Sequence, residues 1–253
     1  MVILTGASSS VMYGYEGTFG TTPTVTNTFG LNQKVTSLTL NTSRFQLNKL
    51  GQVEPTKYAY GTQSGSVGIG FVFDDAHSHK IFQSIYGADA NGSSPFIYPT
   101  NLGQASAPTS VSSLTTKIQV ATSGSASLER ILNGCIVQSL SLSTSIGEPL
   151  NGTCDMSFGK ETTADVVGGA ATAQSAGSLD QGGKPYTFAH GVVKVHNGSS
   201  LVAVAEVQEF DVNFSQNSEL LYGMSSHSAV DAYRRVLDVS GRFRAAFKDK
   251  RMI

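Results

Sequence analysis

The chain has 253 residues and a formal net charge of −1, from 17 basic and 18 acidic side chains, so it carries no electrostatic footprint for tight DNA or RNA binding. Hydrophobic residues reach 40%, enough for a real core and incompatible with global disorder. Charged residues stop at 14%, against about 25% in an average soluble domain. With 27 glycines, no Trp and abundant Ser and Thr, the mix suits sheets of small polar side chains, or surfaces that other subunits cover.

No apolar run approaches membrane-spanning length. The start "MVILTGASSS" lacks both a basic region and a long apolar core, which reads as a chain made and assembled in a cytoplasm, with no membrane partner.

In chain order, "YGYEGTFGTTPTVTNTFG" (13–30) is rich in Gly, Thr and Pro without sustained periodicity, and reads as part of an extended arm over 1–33. "KVTSLTLN" then alternates, with Leu38 and Leu40 on one face and Ser37, Thr39 and Asn41 on the other. A loop-like 43–62 follows. "SGSVGIGFVF" resumes period two, with Val67, Ile69, Phe71 and Phe73 opposite Ser66, Gly68 and Gly70. Residues 35–73 thus form a first hairpin with a long polar connection.

"DDAHSHKIFQSIYG" (74–87) is the best helix candidate: Asp74 or Asp75 can cap it, Ile81, Phe82, Ile85 and Tyr86 form one stripe, and Gly87 stops it. Residues 88–206 read as outer strands and loops. They include a loop rich in Gly, Ser, Pro and Asn over 88–113, a strand at 114–121, and a hairpin turning near Ser145–Glu148. A low-complexity loop over 160–184 and strands turning at Asn197–Gly198 complete this region. The last part, 207–247, is a second hairpin. In it "EFDVNFS" sets Phe210, Val212 and Phe214 against Glu209, Asp211 and Asn213. Its return strand sets Leu237, Val239 and Phe243 against Asp238, Ser240, Arg242 and Arg244. The first and second hairpins echo one another: strand, long connection, strand.

Chemistry-bearing motifs are weak. "GSVGIG" lies within a strand instead of opening a helix, so it lacks the helix N-terminal amides a phosphate site needs. His77 and His79 are two apart on the expected helix and cannot share a metal. His190, His196 and His227 have no thiol or acidic ligand at suitable spacing. The five N-x-[ST] triplets, at Asn41, Asn91, Asn151, Asn197 and Asn213, are what chance gives in a chain this rich in Ser and Thr. Cys135 and Cys154 lie roughly across their hairpin and read as two reduced core thiols, though their pairing is open. No nucleophile elbow or carboxylate pair stands out. The expectation is a non-enzyme with no metal and no cofactor. The polar strand faces fit either the wet side of an ordinary sandwich or a polar lumen whose edges pair with neighbouring subunits.

The order of "YEGTFGTTP", "GSVGIGFVFDD", the helix, "LERILNGCIVQSLSLSTSIGEPLNGTCDMSFGKE" and "VQEFDVNFSQNSELLYGMSS" through "VLDVSGRF" resembles the tail tube proteins of tailed viruses, especially long non-contractile tails. The resemblance implies a mainly β fold, a tail-tube β-sandwich or barrel with one flanking α-helix. Two hairpins per chain would form the inner wall of a hexameric ring, and rings would stack into a conduit for DNA. It implies lumen-facing positions at Ser37, Thr39, Asn41, Ser66, Gly68, Glu209, Asp211, Asn213, Asp238 and Ser240. Arg242 and Arg244 depart from an acidic lining. Either they pair with Asp211, Asp238 or Glu209 of neighbours or they face away. Ring-to-ring contact is expected from the 43–62 loop, through Arg44, Gln46, Asn48, Lys49 and Glu54, with the 160–184 loop second. The implied partners are further copies of the chain, the tail terminator, tape measure and distal tail proteins, and DNA passing without specific binding. About 24 wall strands at roughly 4.8 Å spacing and about 40° tilt would give a backbone diameter near 48 Å. The alternatives are a tube subunit of a type VI secretion or other contractile injection machine, and a non-catalytic β-sandwich binding module.

Overall fold

Runs that alternate one small polar residue with one apolar residue can bury one face and wet the other, and such runs build most of this chain. The computed structural model describes residues 4–47, 57–87, 113–122, 127–166, 183–190, 194–196, 201–203 and 206–246. It is mainly β. The strands are β1 (Leu4–Tyr15), β2 (Asn27–Thr28), β3 (Leu31–Leu47), β4 (Lys57–Val72), β5 (Leu114–Thr122), β6 (Ser127–Ser145) and β7 (Asn151–Phe158). They continue with β8 (Lys160–Val166), β9 (Lys194–His196), β10 (Leu201–Ala203), β11 (Glu206–Ser215), β12 (Glu219–Tyr222), β13 (Ala229–Tyr233) and β14 (Asp238–Ala246).

One sheet has the order β3–β4–β7–β6–β11–β14, with every neighbouring pair antiparallel. A second sheet joins β2, β1, β5, the first half of β6, and β8. The two share β6, which passes from one to the other near Gly134. That residue has φ +63°, and the Phe19 ring lies 2.6 Å from where a Cβ would stand, so a side chain there is excluded twice over. Both sheets and the helical segment fill one core cluster, which includes Tyr13, Phe29, Ile69, Ile85, Leu132, Leu140, Met156 and Phe158.

Several expectations change. Residues 4–15 are a sheet strand and no arm: β1 pairs β5, and Val11, Met12 and Tyr13 are buried, so hydrophobic burial outweighs the Gly- and Thr-rich flank. The 43–62 loop is mostly strand, since β3 continues to Leu47 and β4 begins at Lys57. The helix of 74–87 shrinks to a 3-10 turn, Ser78–Phe82, followed by α1 (Gln83–Tyr86). Its stop is as read, with Gly87 ending it at φ +100°, whereas the N-cap position falls on His77; from three residues before, Asp74 Oδ1 accepts the amides of His77 and Ser78. The first residues of the 160–184 loop form β8 against β6, while 167–182 and the 88–112 part of the earlier loop lie outside the described residues. β9 and β10 pair, although Asn197–Gly198 between them also lie outside. Cys154 stands opposite Leu140, not Cys135, because the β6–β7 pairing is centred on Gly147, with Ser143 opposite Asn151. Both cysteines are free and buried. Burial pushes the Cys135 thiol up to about 12 and the Cys154 thiol up as well, so both stay protonated.

Candidate functional site

The echoing hairpins, β3–β4 and β11–β14, sit at the two edges of one six-stranded sheet, with β7 and β6 between them. Directly opposed residues share a face, so the register defines rows that cross the whole sheet. One row runs Ser37–Gly68–Asp155–Ser139–Ser215–Asp238. The next runs Lys34–Gly70–Thr153–Ser141–Asn213–Ser240. Asn151, Ser143, Asp211 and Arg242 form a third, and Ser145, Glu209 and Arg244 a fourth. Thr39 and Asn41 continue the face on β3, opposite Ser66 and Ser64.

The ten positions singled out from sequence therefore lie on one polar face. What sequence reading missed is its middle, where β6 and β7 add Ser139, Ser141, Ser143, Thr153 and Asp155. The "SLSLSTS" alternation was the available signal. The face is knitted by short polar contacts: Ser139 Oγ donates to Asp155 Oδ2 at 3.0 Å, and Ser141 Oγ donates to Asn213 Oδ1 at 2.9 Å. Arg242 and Arg244 belong to this face, and Arg242 Nη2 lies 3.5 Å from Glu209 Oε1 of its own chain. Both partners are well exposed, so the pair contributes at most about 1 kcal/mol. Its effect is local charge balance.

Behind the face, Gly65 shows why the "GSVGIG" glycines are there. A Cβ on it would fall 2.1 Å from the Phe158 ring and 2.4 Å from the Thr39 carbonyl oxygen. The close approach of Phe158, which is fully buried, needs the missing side chain.

The edges differ from the middle. Among the described residues β3 pairs only with β4, and β14 only with β11. On the apolar side of the sheet, Leu40 at one edge and Val239 and Phe243 at the other stay 42%, 49% and 53% exposed. Beyond the sheet, β3 and β4 continue as a two-stranded ribbon, since β4 meets β7 only from Gly65 onward. Arg44 lies on this ribbon, 5.5 Å from the centre of the Tyr60 ring. Gln46 is on it too, opposite Tyr58, while Asn48, Lys49 and Glu54 lie outside the described residues.

The segment joining β11 to β14 carries the β12–β13 hairpin, which sequence reading passed over as loop. Gln138, the bulged residue of β6, holds its root: Nε2 donates to the Ser218 carbonyl at 2.9 Å, and Oε1 accepts the Ser218 amide at 3.0 Å. On the other side, Tyr222 Oη donates to the Gln63 carbonyl, and the Gln63 amide donates to the His227 carbonyl.

Two buried carboxylates are structural. Glu16 accepts from the Gly20 and Gly134 amides and from the Ser113 and Thr115 hydroxyls, tying four segments together. Asp74, His77 and Ser78 carry the residue types of a hydrolytic triad, but the Ser78 hydroxyl donates to Asp74, not to the imidazole, so no base faces it. Burial pushes the Asp74 carboxyl up. Hydrogen bonds from the His77 side chain and from the Ser78 and His77 amides outweigh it and hold the group below its ordinary value. Among the described residues no group of three His, Cys, Asp or Glu side chains could hold a metal ion.

The sheet thus has a polar face, two edges without a further strand among the described residues, and half-exposed apolar residues beside them. The family model for the phage tail tube protein matches residues 6–252. The chain belongs to the phage tail tube protein family. Comparison with curated proteins gave no match. As a tail tube protein it is a structural component of the virion tail, of a kind that self-assembles with other tail proteins.

Proposed function

We propose that this tail tube protein closes edge to edge into a hexameric ring whose polar sheet face lines a channel, and that stacked rings form the conduit for viral DNA. The observation that carries this is the pair of free edges on one sheet with a continuous polar face. An unpaired edge is a template for another strand, and bare Leu40, Val239 and Phe243 beside the edges add an apolar gain to pairing.

Strand polarity supports closure. Six strands alternating in direction leave β3 and β14 antiparallel to one another. A copy rotated about an axis along the strands then presents its β3 antiparallel to the first copy's β14. The alternation continues around the ring without a fault.

The channel face carries the carboxylates Asp155, Glu209, Asp211 and Asp238 against the cations Lys34, Arg242 and Arg244, among many hydroxyls. Such a mixed wall holds phosphates only loosely, as a conduit requires. The sheet also revises the wall. With all strands lining it, six copies give about 36 strands and a backbone diameter near 72 Å, whereas about four wall strands per copy give about 48 Å.

Tail terminator, tape measure and distal tail proteins are the partners at the ends and inside, with assembly in the host cytoplasm. Electron microscopy of concentrated purified protein tests the reading. Closed rings or tubes are expected, and their symmetry and diameter give the copy number and the strands per copy in the wall. Monomers alone at high concentration would overturn it.

A further inference from the structure

Resting on the ring-and-tube reading above, we propose that the β12–β13 hairpin is a docking element for a second copy of this chain in the next ring. It seats against the surface formed by Ile146, Tyr186 and Phe188 at the opposite end of that copy's sheet. The hairpin lies at the end where the β3–β4 ribbon projects, beside Gln63. The Ile146 surface lies at the other end, around the β6–β7 turn, where the Leu150 amide donates to the Tyr186 carbonyl and the Phe188 amide to the Glu148 carbonyl.

Both surfaces expose apolar side chains. Leu221, Met224, Val230 and Tyr233 stand out from the hairpin, and Met224 is fully exposed. Ile146 is 59% exposed at the other end, with Tyr186 and Phe188 each at 40%. Apolar clusters of this kind mark contact sites.

The hairpin has strands of four and five residues, too short to stand alone in water. The two hydrogen bonds from Gln138 and those to Gln63 hold it in place, so docking needs little further ordering. Charge favours a copy of the same chain as occupant. Exposed Asp231 sits between Val230 and Tyr233, and exposed Lys184 sits two residues before Tyr186. Neither forms an ion pair among the described residues. A head-to-tail contact directed along the ring axis, unlike the edge pairing around the ring, does not close and so propagates into a tube.

The test uses full-length protein and compares ring and tube populations by electron microscopy and sedimentation velocity. Val230→Glu, at an exposed site, is expected to leave rings intact and to shorten tubes severalfold. Asp231→Lys and Lys184→Asp should each do the same, and the double exchange should restore tube length. Tubes of wild-type length in Val230→Glu overturn the proposal, as does a double exchange no better than the singles. Loss of the rings themselves in Val230→Glu would place the hairpin in ring closure and also overturn it. Absence of rings in the wild-type protein would instead sink the ring reading, and this contact with it.

Discussion

The middle and the edges of the six-stranded sheet are written in the same alternating pattern yet end in different environments. In β6 and β7, Leu140, Cys154 and Phe158 have no exposed surface at all. In β3 and β14, the equivalent apolar positions Leu40, Val239 and Phe243 remain about half open. The middle is covered by this chain's second sheet and helical turn, whereas the edges are the positions the proposed ring would cover. Alternation alone thus specifies a face and leaves open what covers it.

The largest expected effect breaks the middle. Leu140→Ala should lower unfolding free energy by about 2–5 kcal/mol in urea titrations, through lost burial plus the cavity left behind. A loss under about 1 kcal/mol would mean that the middle is no better packed than the edges. Next comes the buried carboxylate that fastens the second sheet. Glu16→Gln places an amide among four donors and should cost about 3 kcal/mol by the same titration.

Smaller still is the cap before the helical turn. A carboxyl held below its ordinary value stabilises the fold above the unfolded-state pKa, near 3.8, and that contribution is lost as pH falls through the folded value. Melting temperature should therefore drop below about pH 4. Asp74→Asn should flatten that fall and cost about 1 kcal/mol at neutral pH. A melting temperature just as steep in the variant would assign the acid sensitivity elsewhere. The smallest effect on stability belongs to the edge. Val239→Lys should change unfolding of the isolated chain by about 0.5 kcal/mol or less while removing rings from micrographs. If it unfolds the chain instead, the edge is part of the core after all.

Much of this was legible in the residues. Period two in "SLTLN" and "EFDVNFS" marks two strands with one polar and one apolar side, and both segments are strands of the six-stranded sheet, each with one wet side. Legibility failed where that condition fails. β6 crosses between two sheets at Gly134 and bulges at Gln138, so Ile136 and Val137 are both buried and the period resets. β1 hides because its apolar Val11–Met12–Tyr13 run is buried without alternation. The ribbon of β3 and β4 looked like loop because polar residues dominate it and break the apolar alternation beyond Asn41. The grip of Gln138 on Ser218 is a contact 80 residues apart, which no local pattern encodes.

The hydrogen bonds of Glu16 reach residues 97 to 118 positions later in the chain. At about 5–20 residues per second, β1 leaves the ribosome some 5–20 s before β5 and the distant partners of Glu16 exist. During that interval Met12 and Tyr13 have only the two-residue strand β2 and the Phe29 ring beside them. The N-terminal strand thus emerges with one edge open until β5 arrives, and slower translation lengthens the time in which that edge can meet a nascent neighbour.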